Sequence, residues 1–234
     1  MEIQINNLNK SFDGKKVLKG IDLNLKPNMS NIILGKSGCG KSVLIKLIYK
    51  LIKQDSGIIT YNSKEEVDIN KFAMLFQYGA LFDSLKVWEN IAFQFINEKL
   101  KPISQLKEEV LDIMFNLGLD SENIDKYPSE LSGGMKKRVA LGRALFKKPD
   151  VIFLDEPTTG LDPLNGELIN DLIVKVIKEK KITAITITHD IKSALKTGDQ
   201  FYYLEDGIIE VSEKCENLLK TQNSKLNSFL KGQV

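Results

Sequence analysis

Gly35-Lys36-Ser37-Gly38-Cys39-Gly40-Lys41-Ser42 fits the pattern G-x-x-x-x-G-K-[ST]. Glycines in such a loop let successive backbone N–H groups turn inward around phosphate oxygens. A helix starting at its end adds a positive pole. Lys41 is then placed to reach β- and γ-phosphates, and Ser42 to hold Mg²⁺. A second stretch, Val151-Ile152-Phe153-Leu154-Asp155-Glu156, is an apolar run ending in two carboxylates. Asp155 suits a hydrogen bond from a Mg²⁺-bound water. Glu156, one residue on, suits polarisation of an attacking water. In a third, Leu131-Ser132-Gly133-Gly134-Met135, Ser132 and the glycines can present N–H groups to an anion at a helix start. Cys39 admits two readings: a thiol made reactive by the helix end, or a small tolerated residue.

The elements that must position these residues are legible around them. Ile3, Ile5 and Leu8 predict an opening strand, and Val17 to Leu25 a second, with Asp13-Gly14 as a hairpin turn between them. Ile32-Ile33-Leu34 reads as a buried strand feeding the glycine-rich loop, and Val43 to Leu51 as the helix after it. Residues 87 to 118 read as helical, broken at 101–104 with Ser104 as an N-cap, and 134 to 147 as a further helix. Val151 to Leu154 is an apolar strand. Asp162-Pro163 opens a helix with Leu168, Leu172 and Val176 on its inner stripe beside Ile169, Ile173 and Ile177. Ile182 to Thr188 is a β-branched strand. Apolar strands alternating with helices predict an α/β fold with a parallel sheet covered on both faces. The tail reads as polar, with a short helix at Cys215 to Thr221.

With a phosphate loop before it and an acidic pair after it, the Leu131–Met135 segment makes the chain resemble the ATP-binding cassette (ABC) ATPase family over nearly its whole length. The resemblance implies a P-loop ATPase with a RecA-like core, an antiparallel β subdomain and a helical subdomain. The core with its β subdomain would span 1–77 and 149–212, the helical signature subdomain 78–148, and a C-terminal tail 213–234. Phe12 sits where the family stacks an aromatic on adenine. Gln77 matches the glutamine that touches Mg²⁺ and senses the membrane partner. Gly160-Leu161-Asp162 looks like the loop that crosses to a second subunit, and His189, the only histidine, like the switch that contacts the γ-phosphate. ATP would be held by Phe12, residues 35 to 43 and Gln77 of one chain, and by Leu131, Ser132, Gly133, Gly134, Met135 and Asp162 of another. Glu156, His189 and Lys41 would be catalytic, and Ser42, Gln77 and Asp155 (through water) would hold Mg²⁺. Val43 departs from the threonine of many members, and Phe12 from the commoner tyrosine.

Within the family, Gly-Lys-Ser-Val-Leu, Phe76-Gln77-x-Gly79-Ala80-Leu81-Phe82-Asp83-Ser84-Leu85, the Met135 signature with Lys136-Lys137-Arg138, and Ser228 to Gly232 resemble the ATPases of Mla- and Mce-type lipid transporters. That implies a second copy of this chain, a membrane permease, a periplasmic lipid-binding protein, a small regulatory subunit and phospholipid cargo. An ATPase for another cargo, a soluble cassette and a P-loop kinase are the rival readings. The basic run 136–138 reads as a solvated helix face.

Residues 76 to 93, FQYGALFDSLKVWENIAF, are unusually apolar. Val87, Trp88, Ile91 and Phe95 fall at helical spacing and predict core. Tyr78, Leu81, Phe82 and Leu85 follow Gln77 directly and predict a surface for the permease. A net charge of +2 gives no reason to expect nucleic acid. No apolar run approaches the ~18 residues of a membrane span. The N-terminal stretch lacks a signal peptide's apolar region, and two cysteines make no disulfide framework. The expectation is a peripheral protein on the cytoplasmic side of the inner membrane.

Overall fold

The computed structural model describes residues 1–232; the last two residues of the expected tail lie outside it. The chain opens with β1 (Ile3–Phe12), β2 (Lys15–Leu25) and β3 (Ser30–Leu34), followed by α1 (Lys41–Ile48), β4 (Ser56–Tyr61) and β5 (Phe72–Leu75). A helical section comes next: α2 (Val87–Ile91), α3 (Phe93–Asn97), α4 (Ile103–Asn116) and α5 (Gly133–Phe146). The chain then returns through β6 (Val151–Asp155), α6 (Pro163–Lys180), β7 (Thr183–Ile187), α7 (Ile191–Thr197), β8 (Gln200–Glu205), β9 (Ile208–Lys214) and α8 (Ser224–Lys231).

Two sheets result. β2, β1 and β4 pair antiparallel, and β1 and β2 are joined through Asp13 and Gly14, both at positive φ. That is the backbone of a two-residue hairpin turn. The larger sheet has the order β5-β6-β7-β3-β8-β9, parallel except for β9. β3, β6 and β7 are apolar or β-branched because both of their faces are covered. The strand order places the C-terminal ends of β3, β6 and β7 side by side, where open α/β sheets bind ligands. The 87–146 helices pack as a second layer around Val87, Ile91, Val110, Met114 and Leu141, all buried.

Several sequence expectations need correction. The helix after the glycine-rich loop ends at Ile48, and Leu51 is exposed. Ser104 is not a cap: α4 starts at Ile103 with Pro102 before it. On α6 the buried stripe is Ile169, Ile173, Val176 and Ile177, while Leu168 lies exposed and Leu172 half-buried. A 3.6-residue period allows a stripe of this width to be centred one residue round the helix. The tail is more than polar. After a 3₁₀ turn at Cys215–Lys220, α8 buries Leu226, Phe229 and Leu230 against β3 and β8 residues.

Asn90 organises the loop that precedes α2. Its buried amide donates to the carbonyls of Phe82 (3.1 Å), Leu85 (2.9 Å) and Lys86 (3.2 Å), and its Oδ1 accepts from Phe82 N–H at 2.8 Å. Asn90→Ala strands these groups. We expect it to lower unfolding free energy by about 2 kcal/mol in urea titrations, whereas an unchanged denaturation midpoint would show that water replaces the amide.

Candidate active site

The glycine-rich loop joins the end of β3 to the start of α1. Its first residue must be small: a Cβ on Gly35 would lie 2.3 Å from the Leu204 carbonyl. Lys36 pairs with Glu205 at 3.0 Å, tying the loop to the end of β8. Lys41 Nζ donates to the carbonyls of Gly35 (2.6 Å) and Lys36 (2.8 Å), which holds its ammonium over the loop. Gly40 is the N-cap of α1, so the helix's free N–H groups open onto the same space.

A cleft of about 570 Å³ lies there, a size suited to a small-molecule ligand. Lys36, Ser37, Gly38, Gly40, Lys41, Ser42 and Val43 line one side, and Gln77, Asp155, Glu156 and His189 the other. Four segments far apart in sequence therefore converge on one cleft. Gly35 and Cys39 complete the loop without lining the cleft. Phe12 lies off it, exposed at the end of β1, with Lys10 Nζ 5.3 Å from its ring centroid.

Glu156 is the most constrained of these side chains. It follows the last residue of β6 and sits at φ +47°, a left-handed backbone uncommon outside glycine. Its N–H donates to the Ile187 carbonyl at 2.9 Å, which fixes the turn against β7. Oε1 lies 2.7 Å from His189 Nδ1, and Oε2 accepts from Thr159 Oγ1 (3.1 Å) and Thr188 Oγ1 (3.3 Å). The carboxylate is thus aimed by three partners. Burial pushes the Asp155 carboxyl up, Glu156 beside it adds to the push, and Lys137 and Lys41 oppose it. Among the described residues no cluster of His, Cys, Asp and Glu could hold a metal alone. The hydroxyl of Ser42, the amide of Gln77 and the carboxylate of Asp155 share the cleft as oxygen donors. This sparse hard set fits Mg²⁺ held jointly with substrate phosphates.

Burial pushes the Cys39 thiol up, outweighing the nearby Lys41. This favours the small tolerated residue over the activated thiol, because desolvation acts against the thiolate.

The Leu131–Met135 segment stands apart from the chain's own cleft. Ser132 caps α5 by accepting from Met135 N–H at 3.3 Å, and Ser132 and Gly133 are exposed, whereas Leu131 and Gly134 are buried. Gly134 leaves room for Asn165, since a Cβ there would lie 2.4 Å from Asn165 Oδ1 and displace that side chain. Asn165 in turn bonds Asp162, the exposed N-cap of α6 (3.0 and 2.7 Å). The starts of α5 and α6 thus share one edge of the molecule.

The run 136–138 is not a solvated face. Lys137 is 5% exposed, and its ammonium donates to the carbonyls of Gln77 and, at 3.3 Å, Glu156. Arg138 Nη1 reaches the Gly118 carbonyl at 2.6 Å. Sequence reasoning missed Lys137 because a charge run carries no mark of which member turns inward.

A second depression, an apolar groove of about 540 Å³, lies between the helical layer and the core. Phe76, Ala80, Phe82, Phe93, Phe95 and Arg143 are among its walls. Of the four residues expected to meet a permease, Phe82 lines it, stacked on Phe93 with ring centroids 4.3 Å apart. Tyr78 is 86% exposed beside it. Leu81 packs against the helical core and Leu85 is half-buried. Val87, Trp88 and Ile91 are core, and Phe95 is half-buried on Phe146. No helix of the described residues is long and apolar enough to cross a membrane.

Residues 18–159 match the family described as ABC transporter. A spermidine/putrescine import ATP-binding protein, PotA, of Mesoplasma florum is 38% identical over 89% of this chain, which spans 60% of that protein's length. The intermembrane phospholipid transport ATP-binding protein MlaF of Haemophilus influenzae is 32% identical over 99% of this chain and 90% of its own. Among solved structures, cbiO1 from Clostridium perfringens, part of an ABC transporter complex, superposes with TM-score 0.85 at 30% identity over 98% of this chain and 94% of its own. The cassette MJ0796, in a dimeric post-hydrolysis state with ADP and Pi, superposes with TM-score 0.80 at 29% identity over 91% of this chain and 98% of its own. The chain belongs to the ABC transporter family, and the chemistry of its cassette is ATP hydrolysis.

Proposed function

We propose that this chain is the ATP-hydrolysing subunit of a transporter that moves phospholipid between the inner and outer membranes. The observation that carries the ATPase half is the single cleft in which Lys41, Gln77, Asp155, Glu156 and His189 meet. The phosphate loop and the start of α1 bind the β- and γ-phosphates, with Lys41 swinging from loop carbonyls to phosphate oxygens. Ser42, Gln77 and Asp155 would hold Mg²⁺, which when bound would supply positive charge to offset that developing on the phosphates. Glu156 takes the proton of the water that attacks the γ-phosphorus, as the bond from that phosphorus to the β–γ bridging oxygen breaks and ADP leaves with the bonding pair. His189 holds Glu156 in place and contacts the γ-phosphate. Phe12 closes over adenine from the end of β1.

The exposed start of α5, with Ser132, Gly133 and neighbouring Leu131, Gly134 and Met135, completes the site of a second copy, with Asp162 beside it. Two chains then enclose two ATP molecules head to tail. The dimeric cassette among the structural relatives supports this arrangement. The apolar groove receives a helix from the permease, so the chain works at the cytoplasmic face of the inner membrane. A periplasmic lipid-binding protein and a small regulatory subunit complete the system.

Support for phospholipid as cargo comes from the MlaF relative, matched over 90% of its length, and from the Val43, Met135 and 76–85 sequences. A polyamine importer is the second reading, favoured by the higher identity to PotA. Affinity purification of the chain from mild detergent, with lipid and protein analysis, separates them. A permease with a lipid-binding partner and co-purified phospholipid is the expected result. A polyamine permease in its place overturns the cargo.

A further inference from the structure

Lys137 is buried in the second turn of α5 and is not among the residues that line the phosphate cleft. A lysine is rarely buried without partners, because an ammonium out of water needs its donors satisfied. Here the partners are two backbone carbonyls from different loops, those of Gln77 and Glu156. Six residues on, Arg143 donates to the carbonyls of Gly79 (2.7 Å) and Ala80 (2.8 Å). Three carbonyls of the 77–80 loop are therefore strung to α5 by side chains. Within its own backbone this stretch has the Gly79 N–H to Phe76 carbonyl turn at 2.9 Å. The position of Gln77 thus depends on α5 more than on regular secondary structure.

We infer that Lys137 is a positioning residue: it fixes Gln77 relative to the Glu156 turn, so that metal-side amide and water-side carboxylate are held at one spacing by the helix that Ser132 caps. Arg143 extends the tie to the apolar groove, whose wall it shares with Ala80 and Phe82. The tie rests on the roles proposed above for Gln77 and Glu156.

The test compares Lys137→Met with Lys137→Arg in the full chain. In nucleotide-free protein, amide hydrogen exchange reads the tie directly, independent of turnover. Lys137→Met is expected to speed exchange in 77–80 and 156–160 while β6 is unchanged. It is also expected to raise the Mg²⁺ concentration for half-maximal ATPase by about 10-fold, the scale of losing a group that orients a metal ligand. Lys137→Arg keeps charge and donors and should restore both. If Lys137→Met does not fold, Lys137→Gln, which keeps a donor, takes its place with the same expectations in weaker form. Unchanged exchange at both loops, or an even rise through α5 and β6, overturns the inference. So does faster exchange with an unaltered Mg²⁺ requirement. Failure of the underlying roles shows elsewhere, as full turnover in Glu156→Gln.

Discussion

Replacing Glu156 by glutamine is expected to cut ATP turnover by about 10²–10⁴-fold, the contribution of a positioned general base, while leaving ATP bound. The substitution removes the proton acceptor and little else. Glutamine is nearly isosteric, and its carbonyl can still accept from Thr159 and Thr188, which hold Oε2 at 3.1 and 3.3 Å. The left-handed turn at φ +47° is set by the Ile187 carbonyl and does not depend on charge. With hydrolysis blocked, ATP should persist between the phosphate loop of one chain and the Ser132 edge of another. Light scattering at saturating Mg-ATP is therefore expected to show a dimer that the unaltered chain forms only transiently. A monomer carrying bound ATP would sink the two-chain site, and undiminished turnover would remove Glu156 as the base.

Phe82→Asp is the second large effect. Phe82 is 41% exposed, stacks on Phe93, and lies 5.8 Å from the Arg143 guanidinium carbon. An aromatic anchor in an apolar groove contributes about 2 kcal/mol or more to a protein contact, roughly 30-fold in affinity. A carboxylate there should weaken permease binding by at least that factor. Because Phe82 is outside the phosphate cleft, the isolated chain should hydrolyse ATP within about twofold of the unaltered rate. Transport in reconstituted vesicles, assayed beside ATPase rate, reads the two apart. Transport at full rate would assign the groove to another occupant. Leu81 is a poorer probe than its neighbour, since it packs against the helical core and a polar group there costs stability first.

The cleft was more legible in the sequence than the molecule around it. The phosphate loop and the acidic pair announce themselves because their chemistry needs fixed residue types at fixed local spacing. β3, β6 and β7 were plain as apolar runs for a related reason: a strand covered on both faces has no polar alternation to confuse. β4, β5 and the β8–β9 hairpin escaped notice. β9 opens on Ile208-Ile209 but turns polar after Val211 and has no buried residue, so periodicity is weak there. A signal did exist in Asp206-Gly207, both at positive φ, the same dipeptide as the Asp13-Gly14 turn. Leu168 and Lys137 were misjudged in opposite directions. Each needed knowledge of which neighbour covers a helix face, and no local pattern holds that. Phe12 is assigned to adenine by resemblance alone, since an exposed aromatic at the end of β1 carries no local mark of what it stacks on.

The strand order carries a consequence for how the chain is made. β3 launches the phosphate loop, but its two neighbours in the sheet are β7 and β8. A chain emerging from the ribosome holds the complete glycine-rich motif once residue 42 is out, yet the first neighbour of β3, β7, ends only at Ile187, and the second, β8, at Glu205. Such non-local pairing carries a loop-closure cost that slows it. The antiparallel sheet, whose strands all lie before residue 62, can form far earlier. Nucleotide therefore finds its cradle only after β7 and β8 have joined β3, and its stabilising effect falls on the assembled sheet rather than on the glycine-rich motif alone.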